Sequence, residues 1–132
     1  MKQSIPKLKK KLDTIFSLKV RERDGFKCRK CGRVNKHNHC AHIFSRNSLS
    51  VRYEMKNAIC LDYYCHLQWA HREPVEFTEW VKNEIGEKTY NELRKKSQTI
   101  IDDPRTFLEL KEKELCSTNS PNAQSVKEKS NE

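Results

Sequence analysis

The chain has 132 residues, 35% hydrophobic and 34% charged, which describes one small domain with a thin core and tails. No apolar run approaches membrane-spanning length, and the N-terminal "MKQSIPKLKKKL" has charge without a following apolar stretch, so neither a membrane span nor a signal peptide is expected. The formal net charge of +9 sits in residues 1–33, where 12 Lys or Arg face only Asp13, Glu22 and Asp24, and such a gradient suits a polyanion at one face.

In chain order, residues 1–11 read as a flexible basic arm, and a folded domain spans 12–115. Leu12, Ile15, Phe16 and Val20 lie near helical spacing, with Gly25 placed to stop the helix. "FKCRKCGRV" reads as a knuckle turn, "HCAHIF" as a short strand, "SRNSLSVRYEM" as a loop and "NAICL" as the returning strand. A helix is expected from near Tyr64 to Arg72. Another comes next in "PVEFTEWVKNEIG", where Pro74 suits the first turn, Phe77, Trp80, Val81 and Ile85 share a face, and Gly86 ends it. "KTYNELRKKSQ" and "DPRTFLELKEKEL" are two further helices, and residues 116–132 form a tail with almost nothing to bury.

Six cysteines in a chain expected in the reducing cytoplasm suggest metal chemistry more than disulfides. Cys28-Arg-Lys-Cys31-Gly has the form of a zinc knuckle, since two residues between thiolates let both bind one tetrahedral ion. Cys60 and Cys65 supply a second pair within the spacing range of zinc ligands. The competing reading is buried or redox-active thiols.

Downstream, His42 falls on the first strand, Asn57 opens the second, and His66 starts the helix expected to cross them. A strand–loop–strand–helix unit can gather such residues into one small site. Phosphodiester cleavage needs a base, a cation at the phosphate and positive charge on the backbone, and a neutral His is a natural base near pH 7.

Taken together, "CRKCG … CAHIFSR … NAICL … CHLQWAH" resembles the His-Asn-His (HNH) nucleases, and within them the phage NinG/Rap-type recombination nucleases. The resemblance covers about residues 12–97. It implies an α+β fold: a zinc-stapled ββα-metal core with an N-terminal helix and trailing helices. It further implies His42 as general base, Asn57 as the residue orienting it and His66 as a ligand of a catalytic Mg²⁺, Mn²⁺ or Ni²⁺. The implied reaction is hydrolytic cutting of DNA to leave a 5′-phosphate and a 3′-hydroxyl. Branched recombination intermediates are the implied substrate, and host cytoplasm the implied place if the gene is carried by a phage. Symmetric cutting of a junction would call for a homodimer, for which the sequence carries no signal.

Two positions depart from the family pattern. Ala41 stands where many HNH enzymes carry a metal ligand, leaving His39, Cys40 or His71 as replacements; His71 lies about 140° around an ideal helix from His66, so a distorted helix would be needed. The family also places its downstream zinc pair as Cys-x-x-Cys-His, which puts Asp62 where a cysteine is expected, so Cys60 or Asp62 completes the site, or the site is weak. His66 beside Cys65 is alternatively a structural zinc ligand. Arg46, Arg52 and Lys56 are the expected DNA phosphate contacts, or simply solvated. The rival functions are a non-cleaving zinc module that binds nucleic acid and an adaptor held together by zinc.

Overall fold

Ser4 starts the first helix. Its hydroxyl accepts a hydrogen bond from the Lys7 N–H at 3.3 Å, and Pro6 occupies the first turn, where a missing N–H costs nothing. Helix α1 runs Ile5–Arg23 in the computed structural model, which describes residues 2–117. The arm expected over residues 1–11 therefore ends at Ser4. Leu8 extends the four-residue spacing of Leu12, Phe16 and Val20, and all four are buried, while Lys7, Lys10 and Lys11 stay in solvent.

The end of α1 is pinned to residues that lie far along the chain. Arg23 donates to the carbonyls of Met55 and Ala58 at 2.6 and 2.7 Å, and Asp24 accepts the Cys60 N–H at 2.9 Å. Strands β1 (His39–His42) and β2 (Ala58–Leu61) form one antiparallel two-stranded sheet, with His39 opposite Leu61, Cys40 opposite Cys60, Ala41 opposite Ile59 and His42 opposite Ala58. The expected loop between them holds a short helix, α2 (Leu49–Arg52), and a 3-10 turn at Met55–Asn57. Both are too short to leave a periodic signal.

Cross-strand partners share a face, so the hairpin divides the core. On one side Ala58 and Cys40 pack with α1, Tyr53 and the last helix, α5 (Pro104–Cys116). On the other, Ala41, Ile59 and Leu61 pack with Cys28, Cys65, Ala70 and Val81. Cys65 and Ala70 lie on a π-helix spanning Tyr64–Ala70, where an ordinary helix was expected. Helices α3 (Pro74–Ile85) and α4 (Glu87–Ser97) come next, as read from periodicity, separated by Gly86 at φ +90°. The arrangement is α+β, mostly helical with a small sheet. No helix among the described residues is long and apolar enough to cross a membrane. The expected tail begins at Cys116, the last residue of α5, and its residues 118–132 lie outside the described part.

Candidate functional site

The knuckle is built by backbone that turns left-handed three times. Gly25 and Phe26 take φ of +66° and +56° as α1 ends, Lys27 and Val34 form a bridge, and Gly32 takes +84° between them. This curls Cys28 and Cys31 around one point, with the Cys31 N–H directed at the Cys28 sulfur at 3.5 Å. Burial alone would raise the Cys28 pKa, but backbone hydrogen bonds from Cys31, Asp62 and Lys30 outweigh it and hold the thiol below its ordinary value.

Cys28, Cys31, Asp62 and Cys65 bring one ligand atom each to within 4.8 Å of one another. Three thiolates and one carboxylate suit a tetrahedral zinc ion, whose sulfur ligands, about 2.3 Å from the metal, would stand roughly 3.8 Å apart. This cluster could hold a structural metal such as zinc. Asp62 is the hinge of the group. Its Oδ2 accepts from the Cys31 thiol at 3.1 Å and lies 3.4 Å from Arg33, while its Oδ1 accepts the Cys65 N–H at 2.7 Å.

Of the two alternatives for the fourth ligand, the fold gathers Asp62 and leaves Cys60 out. Cys60 is still inside β2, paired with Cys40 on the α1 side of the sheet. Asp62 lies one residue past the strand, where the chain turns into the π-helix and faces the knuckle. Burial and the nearby Asp24 and Cys28 push the Cys60 thiol up to about 11, and burial pushes Cys40 up to about 12.

On the same side of the sheet as Ala41 stand three histidines. The Nδ1 atoms of His39 and His66 are 3.0 Å apart, and the rings of His66 and His71 meet edge to face with centroids 4.7 Å apart. The π-helix makes the second contact. The His71 N–H bonds to the His66 carbonyl, five residues back, at 3.1 Å, and the wider turn brings i and i+5 nearly into line. Burial, then the neighbouring His71 and His39, drive the His66 pKa down to about 4, so its ring is neutral at physiological pH. Two nitrogens about 2.1 Å from a shared ion at a right angle would be about 3 Å apart, so His39 and His66 fit a divalent metal. Among the described residues, however, only the Cys/Asp cluster brings three or more ligand atoms mutually within 4.8 Å, so His71 does not close on the other two to that degree.

His42 points the other way. Its ring stacks on Phe16 of α1 at 5.5 Å, and its Nε2 lies 2.9 Å from the Arg52 carbonyl oxygen. A carbonyl only accepts, so Nε2 carries the hydrogen and a neutral ring keeps its lone pair on Nδ1. Burial first, and the Arg46 and Arg52 charges second, hold the His42 pKa below the usual 6.5 despite the carbonyl bond.

The Asn57 side chain hydrogen-bonds elsewhere than to that ring. Its wholly buried amide accepts the Phe44 N–H at 2.9 Å and donates to the carbonyls of Phe44 and Val51 at 3.1 and 3.0 Å. It clamps the 44–51 loop that leads into Arg52, and it is the Arg52 carbonyl that orients His42. The expected phosphate contacts also divide. Arg52 and Arg46 are both paired with Asp13, and only Lys56 of the three stands exposed without a described pairing. Asp13 was not among the residues the sequence singled out. The available signal was its being the only acid in the first 21 residues, set in a run of lysines.

No family model matches the chain, and neither a curated protein nor a solved structure matches it.

Proposed function

We propose that the protein is a metal-dependent endonuclease that hydrolyses phosphodiester bonds in DNA from a ββα-metal core, with branched recombination intermediates as its substrate. The observation that carries the reading is the side-by-side placement of His39, on β1, and His66, on the π-helix that follows β2, with His42 at the end of β1 held below its ordinary pKa by burial.

In this reading His42 takes the proton of the attacking water at Nδ1, since Nε2 is committed to the Arg52 carbonyl. His39 and His66 hold the divalent ion, with His71 packed behind His66. When bound, that ion supplies positive charge to the phosphate and the departing oxygen. His39 thus takes the role left open by Ala41, which is buried against the π-helix side of the core. Asn57 acts through the loop it clamps. Cys28, Cys31, Cys65 and Asp62 hold a zinc that fixes the knuckle against the start of the π-helix.

The second reading is a zinc-stabilised module that binds nucleic acid without cutting it. It is favoured by Ala41 and by the incomplete closure of the three histidines. Cleavage of supercoiled plasmid and a labelled four-way junction, with Mg²⁺, Mn²⁺, Ni²⁺ or EDTA, separates the two. Wild type should cut with at least one metal, and His42→Ala should lose about 10²- to 10⁴-fold in rate. Because His42 packs on Phe16, the variant's melting curve and zinc content are measured alongside. No cutting by folded, zinc-loaded wild type with any of these metals selects the non-cleaving module.

A further inference from the structure

From Gly25 to Tyr53 the chain contains seven Lys or Arg and no acidic residue. The fold uses up part of this charge internally. Arg29 pairs with Asp24 and Glu84 at 3.4 and 3.1 Å, and Arg46 and Arg52 pair with Asp13. The other four stay in solvent: Lys27 is exposed, and so are all of residues 30–37 in the knuckle loop, which include Lys30, Arg33 and Lys36. Arg33 reaches Asp62 at 3.4 Å yet its side chain is 69% exposed. The loop is also held in place, since Arg21 donates to the Lys36 carbonyl at 3.2 Å and Cys31 is tied to Asp62.

Directly after Asp62 come Tyr63 and Tyr64, which are 58% and 62% exposed. One exposed tyrosine is ordinary on a protein surface. Here Tyr63 directly follows Asp62, which contacts Cys31 and Arg33 of the cationic loop, and the Tyr63 ring stands edge to face against His39 at 6.1 Å. Duplex DNA keeps its base faces stacked inside, so a surface ring next to phosphate-binding charge is of use chiefly to an unpaired base.

We propose that Tyr63 and the knuckle loop bind a single-stranded stretch of DNA, with an unpaired base stacked on Tyr63 and flanking phosphates on Arg33 and Lys36. This rests on the endonuclease reading for the phosphate at His39 and His66, and it narrows the substrate to DNA with an unpaired segment beside the cut. The stacked base sets the register of the backbone relative to that pair.

The test is fluorescence anisotropy with the zinc-loaded full chain and no added divalent ion, using a labelled oligo-dT 15-mer and a duplex of equal length. The 15-mer should bind more tightly than the duplex. Tyr63→Ala should weaken 15-mer binding about 5- to 150-fold and leave the duplex nearly unchanged, and Tyr63→Phe should restore it. Lys36→Glu, at an exposed position, should weaken both ligands and flatten the salt dependence. Equal binding of the 15-mer by wild type and Tyr63→Ala, or duplex binding as tight as single-strand binding, overturns the proposal. The plasmid assay keeps the two readings apart. A protein that cuts nothing but shows the Tyr63-dependent preference supports this surface and refutes the nuclease, whereas a cutting protein with no such preference refutes this surface alone.

Discussion

Asp13 grips Arg52 at two points, with Nε to Oδ1 at 3.0 Å and Nη2 to Oδ2 at 2.7 Å, and the same Oδ1 accepts the Tyr53 hydroxyl at 2.9 Å. The pair bolts α1 to the residue whose carbonyl orients His42. Burial by itself would raise the Asp13 pKa, but the bonds from Arg52 and Tyr53 and the charges of Arg52 and Arg46 outweigh it and hold the carboxyl below its ordinary 3.8. A folded pKa below the unfolded one gives stability that is complete above the unfolded value and lost as pH falls through the folded value. Asp13→Asn should therefore be about 1 kcal/mol less stable than wild type near neutrality. That gap should close as pH drops below 3.8. Urea unfolding of both proteins across this range measures it, and a gap that stays constant at low pH would assign the loss to something other than the carboxylate.

The four-ligand cluster makes a prediction about which residues matter for the metal. Asp62→Ala and Cys28→Ser should each lose the bound zinc and most of the fold, whereas Cys60→Ser should keep one zinc per chain. Asp62→Cys should bind zinc more tightly, because a thiolate is the softer ligand. Cobalt substitution reads the donor set directly through the intensity of the sulfur-to-metal charge-transfer band. Zinc lost from Cys60→Ser and kept in Asp62→Ala would reverse the assignment.

Truncating Asn57 leaves one N–H and two carbonyls of the 44–51 loop without their buried partner. Asn57→Ala should cost about 3 kcal/mol and leave zinc content unchanged. Hydrogen exchange at the Phe44 amide is the local readout, and protection there equal to wild type would show that the loop does not depend on this side chain.

For His42 the expected form at pH 7 is the neutral ring with hydrogen on Nε2. Long-range ¹H–¹⁵N correlation spectra distinguish the two ring nitrogens. A hydrogen on Nδ1 would remove the lone pair that the proposed base needs. Phe16→Ala, which deletes the ring stacked beneath His42, should cost about 3–5 kcal/mol and broaden the His42 signals.

Much of the fold was legible in the sequence where one residue type dictates local geometry. Cys28, Cys31 and Gly32 marked the knuckle, and Pro74, Gly86 and the face of Phe77, Trp80 and Val81 marked α3. Leu8 escaped because flanking lysines masked the first turns of a helix that Ser4 caps. The choice between Cys60 and Asp62 depends on where β2 stops, and strand ends are set by pairing with β1 and by the bond from Asp24, not by the residues themselves. The course of Asn57 and Arg52 was hidden for the same reason: their partners come from a loop and from α1, far away in sequence. His71 could join His66 only through a distorted helix, and no periodicity foretells a π-turn.

That turn has a consequence for the length of the chain. A π-helix of this kind is an α-helix carrying one surplus residue. Both ends of the segment return to four-residue bonding, with the His66 N–H on the Asp62 carbonyl and the Glu73 N–H on the Trp69 carbonyl. Deleting a single residue between the two histidines, such as Gln68, would leave them four apart on an ordinary helix and still on one face. The histidine pair is therefore tolerant of losing a residue there and intolerant of gaining one, since a second insertion would swing His71 round to the opposite side.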